Sequence, residues 1–113
     1  MAAGVVTPKN MRLAYEFLRE VLFSEINIPL SSKITFKAKR LKNYHGLYEY
    51  PENIVSINTA TGSMTQLMQI MAHEMIHVAL EQNADTDHDK HDQNFEALAR
   101  IIEHEMGWPK GSV

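Results

Sequence analysis

The chain has 113 residues, enough for one modest hydrophobic core and too few for two, so a single domain spanning 1–113 is expected. It contains no cysteine, which removes disulfides, thiolate metal sites and cysteine nucleophiles and leaves histidine and carboxylate as the strong metal ligands. The net charge of -3 hides an asymmetry: residues 1–60 carry eight Lys and Arg against five acids, and residues 61–113 carry three against nine. No basic leader opens the sequence and no apolar run is long enough to cross a bilayer, so a cytoplasmic protein without a membrane anchor is expected.

Thr7 followed by Pro8 starts a helix, because the hydroxyl caps free amides and proline suits the first helical position. Met11, Ala14, Tyr15, Leu18, Val21 and Leu22 then recur at helical spacing to about Glu25. After the turn-like "NIPLSS", Ile34, Phe36 and Ala38 alternate with Lys33, Thr35, Lys37 and Lys39, the period of a strand with one solvated face. "HGLYEY" and "NIVSINTA" read as two more short strands around a turn at "PEN", and a small, mainly antiparallel sheet is the economical arrangement. Ser63, with Gln66 three residues on, is a capping-box start for a helix to about Asn83. "ADTDHDK" is a polar, acidic connection, and Asp92 to Met106 is helical again, stopped by Gly107 and Pro109. The expected fold is therefore α+β.

The second helix carries "HEMIH", with His73, Glu74 and His77 in the order His-Glu-x-x-His. Four residues apart on a helix, the two imidazoles project from one face and can bind one ion. Glu74 lies about 100° round from His73, where it flanks such an ion without ligating it and can take a proton from activated water. Shuffled chains of this composition show the pattern about three per cent of the time, so context decides. Ile70, His73, His77 and Leu80 form one stripe, while Met68, Met71, Met75, Val78 and Ala79 surround it with apolar surface, which predicts a buried helix. Two imidazoles and a carboxylate inside such a helix need partners, and a metal supplies them.

Catalytic zinc takes three protein ligands and keeps a fourth position for water. Downstream, His91 shares a helix face with Phe95, Leu98 and Ile102, the residues that would anchor the last helix, and is the leading third ligand. His88, among aspartates ahead of that helix, is the alternative, followed by Glu96 and Glu103 as acidic replacements. His104 near the helix end is explained by the helix dipole, and His45 reads as a turn or strand residue. Tyr44, Tyr48 and Tyr50 are all candidate donors to an oxyanion, with nothing in the sequence to choose among them.

These residues resemble the SprT-like (Spartan-related) metallopeptidases, in which His-Glu-x-x-His is followed about fifteen residues later by a His placed four before an aromatic. In this chain His91 follows His77 by fourteen residues and Phe95 is the aromatic. The resemblance thus implies His73, His77 and His91 as metal ligands and Glu74 as the catalytic glutamate. "GLYEYPENIVSINTA" is similar to the family's short strands leading into the active-site helix, and the likeness runs from about Gly46 to Ile102. Asp92 stands where the family commonly has Gly, which keeps His88 open as third ligand. The cysteine-bearing or DNA-targeting extension of larger members is not expected. The family implies a zincin-like minimal metalloprotease domain with a Zn2+ cofactor. It would hydrolyse protein or peptide substrates by metal-activated water and a Glu general base, in some members acting on DNA-associated proteins.

Three rival readings accompany this one. Lys33, Lys37, Lys39, Arg40 and Lys42 can contact DNA phosphates, although lysine outside and Ile34 and Phe36 inside is also what an ordinary edge strand looks like. Asp85, Asp87, Asp89 and Glu96 occupy calcium-loop positions of an EF-hand, but Lys90 stands where the sharp turn needs Gly. A non-catalytic, zinc-stabilised interaction or nucleic-acid-binding module would keep the metal without using Glu74.

Overall fold

The computed structural model describes residues 4–82 and 93–113. Helix α1, Pro8–Leu22, begins where its cap demands: Thr7 is extended and its hydroxyl accepts from the Asn10 amide at 3.1 Å. Met11, Ala14, Tyr15 and Leu18 face the core. The Tyr15 hydroxyl donates to the Pro29 carbonyl, and its ring meets Phe36 edge-on with centroids 5.5 Å apart, which ties α1 to the sheet. The helix stops short of the expected Glu25, with Phe23 turned into the core.

Strands β1 (Thr35–Lys39), β2 (Gly46–Glu49) and β3 (Ile54–Asn58) form one sheet in the order β1-β3-β2. The expected mainly antiparallel sheet is corrected to a mixed one, since β2 and β3 are antiparallel but β1 runs parallel to β3. Alternation of apolar and polar residues fixes which side of a strand meets the core and is silent on its direction. Direction here follows from residues 40–45, which cross the C-terminal end of β3, so that Lys39 and Gly46 flank it on opposite sides. Asn58 pins that crossing: its amide donates to the Leu41 carbonyl at 2.9 Å and the Tyr44 carbonyl at 3.0 Å.

Phe36, Ala38, Gly46, Tyr48, Val55 and Ile57 share the face of the sheet turned to the helices, by the strand period and the register. Thr35, Lys37 and Lys39 lie on the other face and are exposed, as are Lys33, Arg40 and Lys42.

Helix α2, Met64–Gln82, is capped by the Ser63 hydroxyl, which accepts from the Gln66 amide at 3.1 Å. The Gln66 side chain returns to the Gly62 amide at 3.2 Å, one residue upstream of the usual capping-box partner. Every residue from Met71 to Leu80 except His73 is buried, because α2 packs against α1, α3, β2 and β3 at once. Helix α3, Gln93–Met106, buries Phe95, Ala99 and Ile102. Gly107, at φ +70, ends it in a Schellman turn, with the Trp108 amide on the Glu103 carbonyl and the Gly107 amide on that of His104. No helix among the described residues is long and apolar enough to cross a membrane.

Candidate active site

His73 and His77 project from one side of α2, as their spacing requires, with ring centroids 5.2 Å apart. Two imidazoles bound through nitrogen to one tetrahedral zinc have ring centres about 5 Å apart, so this pair already has the separation that two ligands of one ion need. Phe95 from α3 packs against both rings, with centroids 4.8 Å from His73 and 4.9 Å from His77. His73 Nδ1 lies 3.2 Å from the Val113 backbone oxygen. A backbone oxygen only accepts, so Nδ1 carries the proton and, in the neutral ring, Nε2 the lone pair suited to a metal.

Glu74, one residue on, is 5% exposed. Burial pushes its carboxyl up to about 8, because a charged carboxylate is poorly solvated there. Its carboxylate end lies against Gly46 at the start of β2, where a Cβ would come within 3.0 Å of Oε2 and 2.7 Å of Ile70 Cγ2. Glycine is what allows the strand to approach the helix this closely. His73, Glu74 and Ile70 form one wall of a cavity of about 390 Å3, Tyr44, His45 and Gly46 another, and Gly111 to Val113 a third. A second hollow of about 560 Å3 shares Tyr44, His45, Ile70 and Ser112, so the cleft continues past the crossing loop.

The SprT-like family model matches residues 12–112, nearly the whole chain. The chain belongs to the SprT-like family. Among curated proteins and among solved structures, none matches it significantly. The match makes this a metalloprotease-like domain of a generally zinc-associated family and extends the likeness well upstream of Gly46, across α1 and β1. His91, His88 and the aspartates of the calcium-loop reading lie outside the described residues, and among the described residues no group of three His, Cys, Asp or Glu gathers. The separation of the two imidazoles fits two ligands of one tetrahedral zinc ion.

The other candidate residues among those described have the following surroundings. Glu103 is buried and its carboxylate receives the Gly111 amide at 3.0 Å and the Val113 amide at 2.8 Å, with Arg100 Nε 2.8 Å from Oε1. Glu96 is exposed and pairs with Arg100 at 3.1 Å, and His104 is exposed in the last turn of α3. Tyr48 is buried with its hydroxyl on Asn53 Oδ1 at 2.7 Å, and Tyr50 is exposed outside the cavity walls, so Tyr44 is the tyrosine of the three that lines the cleft. Sequence reasoning set His45 aside and overlooked residues 111–113, yet both line the cleft. The adjoining Gly46 was the available signal for the first, since a glycine opening a strand marks a close backbone approach.

Proposed function

We propose that this SprT-like domain is a zinc-dependent peptidase with His73, His77 and His91 as metal ligands and Glu74 as general base. The observation that carries this reading is the pair of imidazoles on one side of α2 at ligand spacing, one of which, His73, lines the same cleft as the buried Glu74. His91 stands four residues before Phe95, the ring that touches both imidazoles, and this supports it over His88.

When bound, zinc supplies a Lewis acid that polarises a carbonyl and makes a water acidic near neutral pH. Glu74 would hold a proton taken from the attacking water on its carboxylate and return it to the leaving amine. Its apolar surroundings favour the protonated form, which suits delivery, while a nearby cation favours the carboxylate needed for the first transfer. Tyr44, on the opposite wall, donates to the developing oxyanion. β2 is an edge strand of the described sheet beside this cleft, and an extended substrate adds to it through backbone hydrogen bonds, which makes sequence preference weak.

The exposed Lys33, Lys37, Lys39, Arg40 and Lys42 support DNA-associated proteins as substrates. Salt-dependent DNA binding that is lost on changing Lys37, Lys39 and Arg40 tests that part separately. For the peptidase itself, the test is zinc content and casein hydrolysis in wild type and Glu74→Gln. Zinc retained with hydrolysis abolished is the expected result. A variant that still cleaves removes Glu74 from the general-base role, and a zinc-loaded wild type that never cleaves supports a non-catalytic zinc-stabilised module instead.

A further inference from the structure

Beyond α3 the chain turns back sharply instead of leaving the domain. The Schellman turn at Gly107 redirects it, and a second turn follows in which the Ser112 amide and hydroxyl both donate to the Pro109 carbonyl, at 3.1 and 2.6 Å. Gly111, at φ +91, occupies the third position of that turn, where a type II geometry needs a positive φ. Trp108 and Val113 pack against the core, so the segment is fastened by apolar contact as well.

The polar fastening is specific. Glu103 is 3% exposed, and its Oε2 receives both the Gly111 and Val113 amides, at 3.0 and 2.8 Å, while Arg100 holds the same carboxylate. Val113, held through its own amide, presents its backbone oxygen to His73 Nδ1 at 3.2 Å. A buried carboxylate on α3 is thereby linked through one residue to an imidazole on α2.

We propose that Glu103 and Val113 are positioning residues for the metal ligand His73: Glu103 fixes the Val113 backbone, whose oxygen holds the His73 ring in the Nδ1–H tautomer and aims Nε2 at the metal position. The proposal rests on the zinc reading above and adds to it the group that orients one ligand. Outer hydrogen bonds of this kind set ring orientation and ligand basicity, and their loss typically lowers metal affinity about 10–100-fold. The assignment also gives a buried glutamate, otherwise a third-ligand candidate, a task of its own.

The test uses Glu103→Gln and, because that variant can fail to fold, Val113→Pro, which removes the amide bonded to Glu103 and leaves the backbone oxygen. Zinc affinity is measured by competition with a chromophoric chelator, and the tautomers of His73 and His77 by nitrogen-15 NMR of the metal-free protein. The expected result is zinc binding weakened about 10–100-fold, with His73 moving to a mixed tautomer and the His77 ring signals unchanged. A general loss of structure would move both rings alike. Affinity within about twofold of wild type in a folded variant, or an unchanged His73 tautomer, overturns the proposal and leaves the zinc reading intact. A wild type that binds no zinc overturns both.

Discussion

Replacing Gly46 by Ala places one methyl group between β2 and α2. The new Cβ would lie 2.7 Å from Ile70 Cγ2 and 3.0 Å from Glu74 Oε2. The glutamate tip can swing aside, but the Ile70 methyl is attached to a β-branched carbon held by the helix and cannot. Overpacking of this kind costs about 1–3 kcal/mol. The backbone of Gly46 is not in the left-handed region, so alanine recovers about 0.4–1 kcal/mol from the unfolded chain. The net loss is about 1–2 kcal/mol, equivalent to a fall in Tm of about 4–8 °C for a domain of this size. Thermal denaturation of Gly46→Ala, Ile70→Ala and the double variant measures it, and the double variant should recover most of the loss caused by the alanine at 46. Because β2 or Glu74 must also shift, turnover should fall with zinc content unchanged. Strict additivity of the two substitutions, or a Gly46→Ala protein as stable as wild type, would show that strand and helix are not in this contact.

Glu74 gives metal-free protein a characteristic pH dependence. Its carboxyl is raised from 4.5 to about 8 by burial, so the folded state holds a proton that the unfolded state has released across that range. Stability is then full below pH 4.5 and declines as pH rises towards 8, by up to about 4 kcal/mol, and Glu74→Gln should flatten the decline in urea titrations at successive pH values. Asn58→Ala removes two bonds to the crossing loop, and should cost about 1–3 kcal/mol by chemical denaturation and raise KM more than it lowers kcat. Tyr44→Phe should lower kcat about 100–1000-fold with zinc content unchanged, and equal kcat would remove Tyr44 from the oxyanion role.

Much of this arrangement was legible in the sequence for identifiable physical reasons. Helix α1 announced itself through Thr7 and Pro8, and α2 through Ser63 and an apolar surface that runs nearly all the way round. The placement of His73, Glu74 and His77 followed from helical periodicity alone. The direction of β1 did not, because strand period is unchanged when a strand is reversed, and the deciding bonds from Asn58 join residues fourteen and seventeen positions apart. The choice of Tyr44 over Tyr48 depended on that same loop crossing. The role of residues 111–113 was hidden for a similar reason, since nothing in "KGSV" reveals that two of its amides find Glu103.

The most direct measurement of the central claim is zinc per chain in untagged protein, comparing wild type with His73→Ala, His77→Ala, His91→Ala and His88→Ala. One equivalent in wild type, lost in the first three variants and kept in the last, is the predicted result. Wild-type protein that takes up no zinc after reconstitution would contradict it and leave α2 a buried helix with two packed histidines.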